Sequence, residues 1–392
     1  MRKFFWAGLG IFLCLAIYLL FRPLIVWPFG WNALPEKAAS VPAEPHAAAA
    51  YLNEQYATGR YPSLSAAVGI DGKIVWSHTQ GYADLKTRTP ATPQSQYRIG
   101  SSSKAVNATL AAILVAQNKL DLDKPITSYI GYFPDKGHPI TTRQLLSHTA
   151  GIRHYGMCVC APIWDYENTR HFDSVRAAVG TFSGSPLLFE PGAGFSYSTY
   201  GTVLASGVME SAGGDTYLNL VQKHVAGPLG LNGLKPDDRT LPEDHRVRFY
   251  EVENGNYRDA LPTDDSIKWA GGGFLATPQD LASLGGAWIG NDLVPPAVRD
   301  AFWTPQTLKD GTVNVQNYAL GWRVGEIEVD GKKIRVVHHN GTAKGSSSSF
   351  MLFPDYGMAV SVMTNRGTQG GDPFHGFARE LGLLMLKADG AD

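Results

Sequence analysis

The sequence predicts an α/β fold: an antiparallel sheet built from both chain ends and flanked by helices, with a mainly helical second lobe. Two observations predict it. Strand patterns with Asp-Gly turns occur near residues 64–77 and again near 318–364. Between them the apolar spacing and the capping residues are helical. A cleft between sheet and helical lobe is the natural place for a binding site.

The elements follow in chain order. A helix is expected from about Ala47 to Ala57. Leu64–Ile70 is apolar, Asp71-Gly72 is a turn pair, and Lys73–Ser77 returns, which is a strong hairpin signal. Ala105–Asn118 is an apolar helical run. Thr141–His148 is a second, with Gly151 close to its end, and Gly201–Ala212 is a third, stopped by Gly213-Gly214. Thr277-Pro278-Gln279-Asp280 opens a fourth, with a cap, a first-turn proline and an acid suited to the helix dipole. Tyr318–Val324 alternates as a strand does. Ile327–Val329 and Ile334–His338 flank Asp330-Gly331, while Ser347–Phe353 and Met358–Thr364 flank Asp355-Tyr356-Gly357. A helix from about Phe374 to Lys387 closes the chain.

Before the body lies a segment of another kind. Arg2 and Lys3 precede an unbroken apolar run, Phe4–Phe21, followed by Arg22 and by Trp27 and Trp31. Eighteen residues of helix span about 27 Å, close to a bilayer core, and tryptophans suit its interface. The Pro-Leu-Ile-Val-Trp-Pro stretch after Arg22 is a poor signal-cleavage site. Residues 1–31 are therefore expected to be an uncleaved anchor, with a cleaved signal as the alternative, 32–50 an Ala/Pro/Glu-rich linker, and 51–392 the folded body on the extracytoplasmic, periplasmic side.

Composition narrows the function. The chain has 34 Lys+Arg against 35 Asp+Glu, so no basic excess points to a nucleic-acid partner. Cys158 and Cys160 form a lone C-x-C, too few ligands for zinc. Cys14 lies in the apolar run. His148, His154 and His171 fit no H-E-x-x-H frame. No metal and no cofactor are expected. Gly271-Gly272-Gly273 lacks a phosphate-loop frame and reads as a tight turn, and Asp264-Asp265 read as solvated loop acids.

Three short motifs carry chemistry. Ser101 and Lys104, in Tyr97-Arg98-Ile99-Gly100-Ser101-Ser102-Ser103-Lys104, are three apart at a helix start, so hydroxyl and amine share one face. Serine needs a base to become a nucleophile, and a desolvated lysine beside other cations can serve. Free N–H groups at the helix start favour developing negative charge. Taken alone, the motif reads equally as a serine-rich cap with a solvated lysine, Ser102 and Ser103 being the competing caps. Tyr197, in Tyr197-Ser198-Thr199, can shuttle a proton if cationic neighbours depress its pKa; a lone tyrosine is more often a packing residue. His339-Asn340-Gly341-Thr342 can line a strand edge that a substrate approaches, or can be a plain turn after Val337.

The order of these motifs is more informative than any one of them. Serine-lysine helix start, then tyrosine, then glycine-containing strand is the order of the penicillin-recognising serine enzymes. The stretches YRIGSSSKA, KLDLDKPI, TTRQLLSHTAGIRHY, FSYSTYG, IKWAGGGFLAT and HHNGTAKGSSS resemble the class C β-lactamase, esterase and D-aminopeptidase family, and within it the mitochondrial serine β-lactamase-like branch. The resemblance covers about Leu64 to Leu384 and implies a β-lactamase/transpeptidase-like fold. It also implies that Ser101 is acylated, that Lys104 deprotonates it and that Tyr197 relays the proton. His339, Asn340, Gly341 and Thr342 then bind substrate, and the backbone N–H groups of Ser101 and Thr342 form an oxyanion hole.

Two positions depart from the family pattern. The third motif often begins with lysine and here begins with His339. The tyrosine motif often ends in asparagine and here ends in Thr199. Histidine is mostly neutral at pH 7, so carboxylate recognition is expected to be weak there and to recover at lower pH, with Lys344 as a substitute cation. The expected function is a serine hydrolase acting on a peptide or amide bond, with esterase activity as the alternative on the same machinery. A non-catalytic ligand sensor or self-assembling scaffold is the rival class. The expected partners are a small-molecule or peptide substrate, the membrane through the N-terminal segment, and a second copy of the chain in a homo-oligomer.

Overall fold

The hairpin at the start of the body forms as its sequence dictates. Strands β1 (Ser63–Ile70) and β2 (Lys73–Asp84) are antiparallel, and Asp71 and Gly72 both adopt positive φ, 48° and 74°. That is the left-handed pair a two-residue hairpin turn demands. The computed structural model describes residues 47–156, 165–240, 244–253, 256–290, 293–329, 331–368 and 372–389. The expected anchor, most of the linker, all three cysteines and Asp330 lie outside them. Among the described residues no helix is long and apolar enough to cross a membrane.

The C-terminal strands complete the sheet. They are β3 (Arg323–Val329), β4 (Lys332–His338), β5 (Gly341–Ala343), β6 (Ser346–Phe353) and β7 (Met358–Thr364). The order is Thr89–Pro90, β2, β1, β7, β6, β4, β3, with β5 also paired to β6, so both chain ends meet at the β1–β7 pairing. Every recorded pairing in this sheet is antiparallel.

The five longest helices among the described residues are α1 (Ala47–Ala57), α2 (Ser103–Ala116), α3 (Thr199–Gly213), α4 (Pro278–Ile289) and α5 (Phe377–Asp389). Side chains alternate along β7 and sort the interior into two cores. Met358, Val360 and Val362 join the core of α1 and α5, where Tyr51 meets Phe377 edge-on at 5.6 Å. Ala359 and Met363 face the larger core with α2, α3 and α4, centred on the buried Trp288 and Trp322. Buried on both sides, β6 and β7 read as continuous apolar or small-residue runs. Helix α1 begins inside the segment expected to be linker, and its Ala48 and Ala49 are buried.

Local signals place most helix starts. Thr141 and Thr277 form reciprocal capping boxes with Gln144 and Asp280. Two expectations need correction. The run Tyr318–Trp322 is not a strand; the strand begins at Arg323. Gly321, at φ 80°, presses this segment onto the start of α2, where an added Cβ would lie 3.0 Å from the Lys104 carbonyl and 2.7 Å from Ala108 Cβ. The alternation of Tyr318–Val324 thus reflects a buried loop. Nor are Asp264 and Asp265 solvated: both are buried, Asp264 capping a turn at Ser266 and Asp265 paired with Lys268 at 3.1 Å.

Candidate active site

The turn that carries Ser101 is held between two strands. On one side Tyr97–Arg98 pairs with Leu275–Ala276, and the Ile99 N–H donates to the Phe274 carbonyl. On the other, the buried serines of β6 act as tethers. Ser346 Oγ donates to the Arg98 carbonyl and Ser348 Oγ to the Ile99 carbonyl at 2.7 Å. Ser102 Oγ donates to the His339 carbonyl at 2.6 Å, and Ser103 Oγ accepts from the Phe274 N–H. Ser102 and Ser103 are therefore tethers, not the helix caps that compete with a catalytic reading. Arg98 is fixed beneath the turn by Asp237 at 2.5 Å.

Ser101 lies in a single 3-10 turn, Gly100–Ser102, which runs into α2. Two glycines let β5 approach this turn. Gly100 has φ 51°, and a Cβ there would lie 2.6 Å from the Thr342 carbonyl. At Gly341 a Cβ would collide with the Ile99 carbonyl. Only glycine at both positions brings the Thr342 backbone against the Ser101 turn.

Lys104 is completely buried in the first turn of α2. Its Nζ lies 3.3 Å from Ser101 Oγ, 3.2 Å from Thr199 Oγ1 and 2.6 Å from the Gly271 carbonyl. Burial, with Arg323 and Lys268 as cationic neighbours, holds the amine well below the usual lysine range. Tyr197 comes from the segment before α3 and lines the same cleft as Ser101, whose hydroxyl acts on its phenol. Lys104 Nζ sits 4.8 Å from its ring centre. Burial pushes the phenol up to about 12, outweighing the cationic pull of Arg323. The expected depression by cations does not occur, so the tyrosine stays protonated.

His339 is buried, and both ring nitrogens are engaged. Nδ1 faces the Asn340 carbonyl at 2.9 Å, so it carries the proton. Nε2 then accepts from the Tyr318 hydroxyl at 2.9 Å and from Arg323 Nη1 at 3.4 Å. Burial and Arg323 hold the ring well below its usual range, which leaves it neutral. Lys344 is no substitute cation, because it pairs with Glu251 at 2.9 Å and Glu167 at 3.3 Å. Asn340 spans the Phe350 N–H and the His375 carbonyl with its two side-chain ends. Thr342 is exposed, its hydroxyl 3.3 Å from His375 Nε2.

A cleft of about 350 Å³ opens over these groups, lined by Ser101, Tyr197, His339, Asn340 and Thr342. Its lining also includes Arg323, His338 and His375, which the sequence reading passed over. Arg323 is tied to Gln316 Oε1 through Nε and Nη2, and to His339 through Nη1. Five guanidinium N–H groups meet three such contacts, which leaves donors for the cleft. Among the described residues no carboxylate pairs with it. The Arg at the head of β3 was the only cation in an otherwise apolar stretch, but its direction depends on Gly321 and the loop before it. Gly271 was likewise read only as a turn, yet it supplies the carbonyl that Lys104 meets. His148 and His154, weighed as metal ligands, instead accept backbone N–H groups from Ser198 and Thr199. Among the described residues no His/Cys/Asp/Glu cluster suits a metal.

The same frame occurs in known proteins. The mitochondrial serine β-lactamase-like protein of Mus musculus is 28% identical over 384 residues, covering 75% of this chain and 70% of that one. A D-stereospecific amidohydrolase from Streptomyces superposes with TM-score 0.67 at 26% identity, covering 83% of this chain and 95% of that one. A D-amino acid amidase from Ochrobactrum anthropi superposes with TM-score 0.71 at 22% identity, covering 87% of this chain and 97% of that one. The β-lactamase family model matches residues 48–383, from the first turn of α1 into α5. With serine, lysine and tyrosine gathered at one cleft and that match spanning nearly the whole body, the chain belongs to the β-lactamase family of serine hydrolases.

Proposed function

We propose that the protein hydrolyses an amide bond through an acyl-enzyme on Ser101, with esters as the easier second substrate class. The observation that carries this is the Lys104 amine, buried, beside cations and 3.3 Å from Ser101 Oγ. A neutral amine has two N–H bonds and one lone pair. The N–H bonds go to the Gly271 carbonyl and Thr199 Oγ1; the lone pair then faces the Ser101 O–H. Lys104 takes that proton as Ser101 Oγ bonds to the substrate carbonyl carbon. The oxyanion forms beside the backbone N–H groups of Ser101 and Thr342. As the C–N bond breaks, Tyr197 donates its phenolic proton to the departing amine and regains one from Lys104. Water then attacks the ester, its proton returning by the same route, and releases the acid with Ser101 restored.

Arg323 defines the substrate class we propose: amides or esters with a carboxylate near the scissile bond. The cleft lining contains an unpaired guanidinium and no carboxylate, so it suits an anion better than a free ammonium. A charge-assisted hydrogen bond of this kind contributes about 1.5–3 kcal/mol, roughly ten- to a hundredfold in kcat/KM. Arg323→Gln should lose that factor for a carboxylate-bearing substrate and little for its neutral amide. Wild-type preference for the carboxylate should stay constant from pH 5.5 to 8, because guanidinium does not titrate there and His339 stays neutral. A preference that rises at low pH would return the role to His339. The broader reading is tested by intact-mass spectrometry after exposure to β-lactams, D-amino-acid amides and activated esters; a covalent adduct is the expected result.

We also propose that Phe4–Phe21 anchors the enzyme with its body on the extracytoplasmic side. Eighteen apolar residues behind Arg2 and Lys3 support this. The full chain should stay in the membrane fraction after an alkaline carbonate wash. External protease should reach residues after about Trp31 in spheroplasts. A soluble mature chain beginning between Val41 and Ala48 would overturn it.

A further inference from the structure

The backbone around Tyr197 is held from one side by a single segment, residues 148–154. The His148 carbonyl accepts the Ser196 N–H at 3.0 Å, and His148 Nδ1 accepts the Ser198 N–H at 3.2 Å. The Arg153 carbonyl accepts Ser198 Oγ at 2.7 Å, and His154 Nδ1 accepts the Thr199 N–H at 3.2 Å. The rings also touch the tyrosine itself: His148 lies 4.4 Å from the Tyr197 ring centre, and His154 meets it edge-on at 5.7 Å. Backbone N–H groups can only donate, so both Nδ1 atoms are unprotonated acceptors.

These N–H groups open α3, where a helix leaves its first donors without intrahelical partners. The usual acceptors at such a place include aspartate. Here an aspartate would put a negative charge near Lys104, and an opposite charge favours the protonated amine. Neutral imidazole accepts the same hydrogen bond without that charge. We propose that His148 and His154 are positioning residues for Tyr197: two charge-free acceptors that fix the tyrosine at Ser101 without placing a negative charge beside Lys104.

The surroundings keep the pair in this form. The charged and titratable groups facing it are Lys104, Arg323 and Lys268, with Arg153, Tyr155, Tyr318 and His339 besides Tyr197 itself. Among the described residues no carboxylate joins them, since Asp265 is taken up by Lys268 at 3.1 Å and Asp165 by Arg153 at 2.8 Å. Burial and Lys104 hold His148 well below its usual range and His154 at about 4. The φ of His148 is 62°, in the left-handed region that asparagine tolerates.

This inference rests on the serine-hydrolase reading and is tested separately from it. His154→Asn places Oδ1 where Nδ1 stands, His154→Leu removes the acceptor, and His154→Asp keeps it with a charge. Turnover of an amide substrate, whose leaving amine needs the Tyr197 proton, is followed from pH 5 to 9, with melting temperature in parallel. His154→Leu should lose ~10-fold or more in kcat, the scale of a misplaced proton-transfer group. His154→Asn should recover to within about threefold. In His154→Asp the acid limb of the profile should move up by roughly a unit or more. Equal losses in the Leu and Asn variants, no loss in the Leu variant, or an unmoved acid limb in the Asp variant would each overturn the proposal. If the Leu variant does not fold, the Asn and Asp variants decide it, and His148→Asn should retain amide turnover as His154→Asn does. Loss of ester labelling in Ser101→Ala is a condition of the hydrolase reading alone.

Discussion

Ser101→Ala should abolish covalent labelling by a fluorophosphonate or an activated ester and lower turnover by ~10⁴-fold or more, as removing an activated nucleophile does. Ser101 is the one serine of its run whose hydroxyl faces both Lys104 and Tyr197. The two that follow serve as internal controls. Ser103 Oγ only accepts the Phe274 N–H, so Ser103→Ala should label normally. Ser102 Oγ bridges the His339 carbonyl and Ser348, so Ser102→Ala should label but melt earlier, by the ~1 kcal/mol typical of a lost buried hydrogen bond. Undiminished labelling of Ser101→Ala would move the nucleophile elsewhere.

Lys104→Met should separate function from stability in opposite directions. Without a base, acylation should fall by ~10²–10⁴-fold. The melting temperature should rise. The folded state holds the amine in its neutral form, whereas the unfolded chain protonates it at about 10.4. Unfolding therefore takes up a proton, and the wild type gains stability as pH increases from the folded pKa to the unfolded one. The stability advantage of Lys104→Met should be largest at and below the folded pKa of Lys104 and shrink as pH rises towards the unfolded value of about 10.4. The same titration fixes the sign of the activity profile: catalysis is lost as pH falls through the folded pKa of Lys104, because a protonated amine cannot accept from Ser101. A variant less stable than wild type at every pH would mean that Lys104 is buried as a charged, well-compensated group and is not the base.

Much of the scaffold was legible in one dimension because its signals are local. Asp71-Gly72 with flanking apolar runs specifies a hairpin whatever surrounds it. Thr141 and Thr277 announce helix starts through bonds that close within three residues. Misreadings arose where burial depends on distant partners. The acids Asp264 and Asp265 resemble loop residues until His171 and Arg98 pack against them, the former 3.1 Å from Asp264 and the latter 4.0 Å from Asp265. Tyr318–Trp322 alternates like a strand, but Gly321 turns it onto α2.

By itself, the sequence determined which residues could react and in what order they lie along the chain: Ser101 with Lys104, then Tyr197, then the strand motif from His339. It also determined the pairing of the two chain ends, since strand patterns at both termini have one common sheet to join. Tertiary structure alone decided which of those groups are charged. Protonation depends on burial and on neighbours far away in sequence, and packing is what supplies both. It is packing that strips water from Lys104 while setting Arg323 and Lys268 nearby, and that raises Tyr197 when cations alone would have lowered it. The same packing ties both nitrogens of His339 and leaves Arg323, from a strand the motifs never touched, as the cation of the cleft.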